Sequence, residues 1–354
     1  LQNVALSLTG TRFIGFAQKR LAMSLRDEAN HEQELDALRG ALRRAQAQLA
    51  KATTGNRMLV AAVYRAAKDS AITYVPGKPP AKSTSKAGAE VALVHATDWQ
   101  IGKRTESYNV EIAQERIERL ARKVVGITDI QRKDHPVDEC VLMLGGDMVE
   151  GTTIFPGQAW ELDSTLFGQL FAATASIELL VRTFAQNFAK VRVVCEYGNH
   201  GRIGKYGEGP KGDNVDRMAY QIAKDRTSTL TNVTWQMSEA WHQTFSIGAY
   251  KVLLVHGDEI RTYSGTPLFG IIKRVSSWAA GIVPEFHDCY MGHWHNPASI
   301  TIGNGNRVFI TGSPESGNIY AAEHLAAQAK PSQRLHFIDP KAGRVASEYV
   351  LWLD

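Results

Sequence analysis

The sequence predicts an α/β layered domain preceded by a small helical region. Three observations carry this: past residue 90 short apolar runs alternate with longer helical patterns, several of those runs end in polar residues suited to metal ions, and the first 75 residues hold helical patterns alone. At 354 residues and 44% hydrophobic content, the chain can bury one large core, or a medium core plus an appended module.

In chain order, Phe13–Leu25 reads as a helix. Asn30–Ala52 reads as an amphipathic one, with Leu35, Leu38, Leu42 and Leu49 at three-, four- and seven-residue spacings. Thr53-Thr54-Gly55-Asn56 breaks it, and Arg57–Ser70 returns as a further helix. These apolar stripes must be buried on each other, on the following domain or on a second copy, so residues 1–75 are expected to serve oligomerisation or partner docking. Residues 76–90, rich in Pro, Lys, Ser and Gly, cannot build a core and form a linker to a domain spanning 91–354. There the expected strands are Val91–Thr97, Cys140–Gly145, Val191–Tyr197, Lys251–His256 and Cys289–Gly292, with helices near Val110–Ile130, Ser164–Phe188 and Asn214–Thr229. Ser299–Ile302 and Arg307–Thr311 flank Gly303-Asn304-Gly305-Asn306, which is hairpin chemistry.

The net charge of +4 hides an asymmetry: residues 1–86 carry 14 Lys/Arg against 6 Asp/Glu, and the remainder 26 against 30. A polyanion would find an electrostatic partner in the front; a solvated basic helical surface accounts for the same charge. Cys140, Cys195 and Cys289 lack any CxxC spacing and read as buried thiols in a reducing compartment. With no run of about 18 apolar residues and no signal core, the expectation is a cytoplasmic protein without membrane contact. No GxxxxGK[ST] follows a strand, which excludes a P-loop NTPase.

The chemistry sits at strand ends. Val91–Thr97 runs into Asp98-Trp99-Gln100, Cys140–Leu144 into Gly145-Gly146-Asp147, Val191–Tyr197 into Gly198-Asn199-His200, Lys251–Val255 into His256-Gly257-Asp258, and Cys289–Met291 into Gly292-His293-Trp294-His295. In open α/β sheets, sites form outside the carboxyl ends of strands. Two carboxylates, three imidazoles and an amide oxygen suit a pair of borderline divalent cations, Mn²⁺ or Fe before Zn²⁺; a closed structural zinc does not fit without thiolates. Glycines before Asp147, Asn199 and His293 allow close backbone approach.

The order and spacing of these blocks resemble the calcineurin-like metallophosphoesterases, whose pattern is D-x-H, G-D, G-N-H-D/E, a lone His and G-H-x-H, over roughly residues 91–315. The resemblance implies two mixed β-sheets flanked by helices. It implies that Asp98 and His295 hold a first metal, that Asn199, His256 and His293 hold a second, and that Asp147 bridges them. His200 would stand beside the ions, contacting the phosphate or protonating the leaving oxygen. Two divalent ions are implied, Mn²⁺ first, with Fe, Zn²⁺ and Mg²⁺ as alternatives. At a separation of about 3.5–4 Å they would activate a shared water for in-line attack without a covalent enzyme intermediate. Two positions depart from the pattern. Gln100 replaces the histidine of D-x-H, giving the first metal a weaker neutral oxygen or losing that ligand to water. Gly201 replaces the acidic residue that would orient His200.

Within the superfamily the chain looks most like the nuclease branch of SbcD-type DNA-repair nucleases and their phage-encoded relatives. This implies a DNA nuclease (DNA before RNA), a host-cytoplasmic site if phage-encoded, and a separate ATPase docking on the helical front. A phosphodiesterase or phosphatase acting on a small molecule is the alternative, and a non-catalytic binding scaffold a further one. In the Gly201–Gly212 loop, Arg202, Lys205 and Lys211 are candidates to grip flanking phosphates and Tyr206 to stack on a base, unless the loop is simply a surface excursion. Arg261, Lys273 and Arg274 are weaker candidates. Trp99 and Trp294 read as walls of the site, Glu150 as a supporting group, and Gly151–Asp163 as its edge. His31, His95, His135, His242, His287, His324 and His336 match no block and read as structural or surface residues.

Overall fold

The computed structural model describes Gly40 and residues 88–261, 267–303, 305–317 and 330–354. The chain divides into a unit of Leu1–Ala66 and one of Ala67–Asp354, and the description below concerns the second. Apart from Gly40, the three expected front helices lie outside the described residues, as do most of the linker, His31 and His324.

Eleven strands and four α-helices are described. In order they are β1 (Val91–Ala96), α1 (Val110–Gln131), β2 (Glu139–Leu144), α2 (Leu166–Asn187), β3 (Lys190–Cys195), α3 (Val215–Arg226), β4 (Val233–Met237), β5 (His242–Ile247), β6 (Tyr250–Val255), α4 (Pro267–Ser277), β7 (Asp288–Met291), β8 (Ala298–Thr301), β9 (Arg307–Ile310), β10 (Ser332–Asp339) and β11 (Arg344–Trp352). They build two mixed sheets flanked by helices, as expected. One sheet runs β11-β10-β1-β2-β3-β4 and the other β5-β6-β7-β9-β8. β1 to β4 are mutually parallel, joined by crossover helices, while β10 lies antiparallel to β1.

Side-chain alternation explains the layering. Leu93, Val141, Met143 and Val194 from the first sheet meet Phe245, Tyr250, Val252, Leu254, Tyr290 and Phe309 from the second in a shared core. The next residues along the second sheet, Leu253, Val255, Cys289, Met291, Val308 and Ile310, face the other way onto Ile271 and Val275 of α4. On the first sheet's side, α2 packs between α1 and α3. The helices begin where short polar side chains satisfy free N–H groups: Asn109 caps α1, Thr165 caps α2 and Asn214 caps α3.

Among the described residues the expected strands and helices are found within one or two residues of their anticipated ends, except that α3 stops at Arg226, three residues before Thr229; β8 and β9 pair antiparallel as the hairpin. Five elements carried no clear signal: β4, β5, α4, β10 and β11. β10 shows why, since Gln333, Arg334 and His336 are buried there, making a core strand that reads as polar. All three cysteines are buried and free. Among the described residues no helix is long and apolar enough to cross a membrane.

Candidate metal centre

β1, β2 and β3 of one sheet and β6 and β7 of the other deliver all five ligand segments to a common edge. Backbone bonds lock the edges together: Asp98 N donates to Gly146 O at 2.9 Å, and Gly292 N to His256 O at 2.9 Å. His256 Nδ1 lies 2.8 Å from Gly145 O, joining β6 to β2 across the sheets. The strand-end glycines permit this. Gly146 has φ 90°, and a Cβ there would collide with the backbone of Gly198; a Cβ on Gly292 would collide with the Asp98 carboxylate.

Five non-glycine residues among those described have positive φ, and all five are expected ligands: Asp98 (54°), Gln100 (48°), Asp147 (54°), His293 (66°) and His295 (58°). That backbone region is costly for any residue with a Cβ and persists where surrounding structure enforces it, as at functional sites.

Asp147, His256 and His293 each offer a ligand atom within 4.8 Å of the others and could hold a divalent ion. His256 Nε2 stands 3.0 Å from Asp147 Oδ2 and 3.2 Å from Asn199 Oδ1. Both Asp98 oxygens accept from His293 N at 2.9 Å, and Asp98 Oδ1 lies 3.4 Å from His295 Nε2. Gln100 is fully buried; its Nε2 reaches Asp147 Oδ2 at 3.3 Å while its Oε1 has no partner. An unpartnered buried oxygen beside two carboxylates and three imidazoles fits a cation: rotating the amide would aim that oxygen at the Asp147 side of the cluster.

The electrostatics agree. Burial acts to lower the His256 pKa, but the Asp147 carboxylate beside it drives it well above the usual value. Burial acts to raise the Asp147 carboxyl, yet His256 and His200 hold it well below its usual value. His293 goes the other way, to about 4, through burial and the neighbouring His256. The same charges that favour a proton on His256 beside Asp147 would favour a cation between them.

His200 N donates to Asp147 Oδ1 at 2.7 Å, which seats the residue beside the cluster. Its Nδ1 lies 2.8 Å from Glu150 O and 3.4 Å from Glu150 Oε2. The hydrogen bond that orients the ring is therefore with the Glu150 main-chain carbonyl; the Glu150 carboxylate stands at ion-pair distance, near where Gly201 offers no acid, and its other oxygen accepts from Gln158 Nε2 at 2.9 Å. Burial would lower the His200 pKa, but Asp147 and Glu150 raise it to about 9.

Three supporting residues escaped the sequence reading. Asp216, in the first turn of α3, accepts from Asp147 N (2.8 Å), Met148 N (3.0 Å) and Gly198 N (3.0 Å). Burial and the nearby Asp147 charge raise its pKa to about 6. Glu315 lies 3.1 Å from His295 Nδ1 and 2.9 Å from Lys103 Nζ. Against burial, the contacts of His295 with Asp98 and Glu315 raise its pKa to about 10, while His295 and Lys103 hold Glu315 at about 2. The signal available for Asp216 was its place after the Asn214 cap, a pattern that capping alone explains.

The loop after His200 is less convergent. Arg202 is half-buried, 3.4 Å from Ile154 O and 6.0 Å from the centre of the Tyr206 ring. Lys205, Lys211 and Tyr206 are exposed, the last at 79%. Thr153 Oγ1 donates to Gly204 O, so segment 151–163 borders this loop, with Trp160 84% exposed. Trp99 is buried and Trp294 packs on the core beneath α4. Arg274 bonds Glu259 O and is not brought to the cluster. His95 and His336 are buried and bonded to Thr311 and Tyr290, consistent with structural roles.

Fold and site together define a two-sheet α/β sandwich with a candidate metal centre where its strand ends converge. The sequence matches no family model and no curated protein. Among solved structures the chain is similar to zinc-complexed Vps29 from Entamoeba histolytica, with 12% identity over 74% of this chain and 99% of that one and a TM-score of 0.33. A predicted phosphoesterase from Streptococcus pneumoniae shows 14% identity over 75% and 99%, TM-score 0.31. Phosphopantetheinyl hydrolase from Mycobacterium tuberculosis shows 14% over 64% and 92%, TM-score 0.27.

Proposed function

We propose that the chain is a phosphodiester hydrolase dependent on two divalent cations, acting on nucleic acid, DNA before RNA. The observation that carries this reading is the convergence of Asp98, Gln100, Asp147, Asn199, His256, His293 and His295 from five strand ends of two sheets, with Asp147 central. Asp98, Gln100 and His295 would hold one ion, Asn199, His256 and His293 the other, and Asp147 both. When bound, such a pair polarises the phosphate and makes water acidic enough to attack near neutral pH. The oxygen-rich ligand set favours Mn²⁺.

The remaining chemistry belongs to the chain. Glu150 engages Nδ1 of His200, which leaves Nε2 to meet the substrate and to give a proton to the departing oxygen. Arg202, Lys205 and Lys211 would hold flanking phosphates, and exposed Tyr206 offers a face for a base. The front residues, with their excess of Lys and Arg, would add sequence-independent attraction to a polyanion. Docking of those residues on a second copy, or on a separate ATPase, belongs to the same proposal.

The test is cleavage of end-labelled single- and double-stranded DNA by purified protein with Mn²⁺, beside a generic phosphodiester reporter and an Asp147→Asn control. DNA cut by the parent and not by the variant is the expected result. Turnover of the reporter alone would retain the metal centre and replace the polymer with a small phosphodiester. No turnover and no bound metal would reject the hydrolase in favour of a scaffold.

A further inference from the structure

We propose that Glu315, held by Lys103, is a positioning residue for the first ion site, fixing the imidazole of His295 so that its Nε2 faces Asp98. The inference rests on the metal-centre reading above. Glu315 is 3% exposed, and its two oxygens stand at ion-pair distance from two cationic groups, Oε1 2.9 Å from Lys103 Nζ and Oε2 3.1 Å from His295 Nδ1, without the alignment of a hydrogen bond. On the far side of the ring, His295 Nε2 lies 3.4 Å from Asp98 Oδ1. The segment that carries Glu315 is itself tied to both ligands. Ser313 Oγ donates to Asp98 O at 2.6 Å and accepts from Glu315 N at 2.9 Å, while Ser313 N donates to His295 O at 3.3 Å. Arg116 holds the same segment through Pro314 O at 2.6 Å.

An imidazole whose Nδ1 faces a carboxylate keeps its proton there, so the lone pair sits on Nε2 and becomes more basic. This matters most at the first site, where Gln100 contributes a neutral amide in place of an imidazole, leaving His295 as its one nitrogen donor. The second site has two, and His256 is oriented by the neutral carbonyl of Gly145. Lys103 offsets the buried charge of Glu315, so the anion can stand beside the site without a free partner. Loss of the carboxylate should therefore fall on one ion and spare the other.

The experiment is calorimetric titration of the metal-free full chain with Mn²⁺, with folding followed by circular dichroism. Parent protein should bind two ions. Glu315→Gln should keep one ion at parental affinity and bind the other about 10–100-fold more weakly. Glu315→Asp, which withdraws the carboxylate while keeping its charge, should shift the same ion in the same direction. In a His295→Ala background, Glu315→Gln should add no further loss. Parental affinity for both ions in both variants, or an equal loss at both sites, would overturn the proposal. A parent that takes up no Mn²⁺ would instead overturn the metal centre itself.

Discussion

At the scale of the residue, five side chains with a Cβ hold positive φ, each at a cost on the order of 1–3 kcal/mol. Hydrogen bonds enforce that geometry: Asp98 N, Gln100 N and Trp294 N each have a backbone partner at 2.8–3.0 Å. His200 makes a sharper test of roles, because it touches Asp147 through its main chain while its ring answers to Glu150. His200→Ala should keep both ions, since the backbone N–H survives, and lose roughly 10²–10⁴-fold in turnover of a phosphodiester with a poor leaving group. Metal content by mass spectrometry and kcat measured on one preparation check it; loss of metal along with activity would make His200 a ligand instead.

At the scale of the element, the N-terminus of α3 serves as the clamp. Asp216 gathers N–H groups from the segments following β2 and β3, so one carboxylate sets the distance between Asp147 and Asn199. Removing it strands buried donors at about 1–3 kcal/mol each. Asp216→Ala should lower the urea midpoint by the equivalent of roughly 3 kcal/mol or more, with little change in the denaturant slope, and weaken metal uptake. An unchanged midpoint would mean that the loops hold their register without it. α2 offers a neutral counterpart in Gln169, whose side chain accepts from Gly151 N at 2.9 Å and donates to Gly151 O at 3.2 Å.

At the scale of the molecule, the centre exists only where two sheets meet, so its charges are coupled to folding. In the metal-free protein His200 and His295 have pKa values raised to about 9 and about 10, above the unfolded value of about 6.5. Their contribution to stability is therefore fully present below pH ~6.5 and is lost as pH rises through ~9–10. Cations compete with those protons, so the stabilisation that metal confers should grow over the same range. Melting curves of chelated and Mn²⁺-loaded protein from pH 6 to 10 check both signs: the chelated Tm should fall with pH and the gap between the two should widen until Mn²⁺ hydrolysis intervenes. A gap that narrows steadily from pH 6 would reject the centre as a proton-competing metal site.

Much of the site was legible because a ligand placed directly after a buried strand is located by covalent adjacency. The apolar run announces the strand, and the residues just after it inherit its end, which places Asp98, Asp147, Asn199, His256 and His293 as candidate ligands at one edge. The same logic failed at β10, whose buried Gln333, Arg334 and His336 break the apolar signal. It also failed at Glu315, which meets Lys103 across 212 residues of chain, and at Asp216, whose partners lie 18 to 69 residues away. The sequence by itself determined the α/β class and the polar residues that end its strands, the candidate ligands of the site. Only the tertiary structure decided which carbonyl or carboxylate faces His200, His256 and His295, because buried polar groups are paired through space by the docking of one sheet on another, and no periodicity along the chain records that pairing.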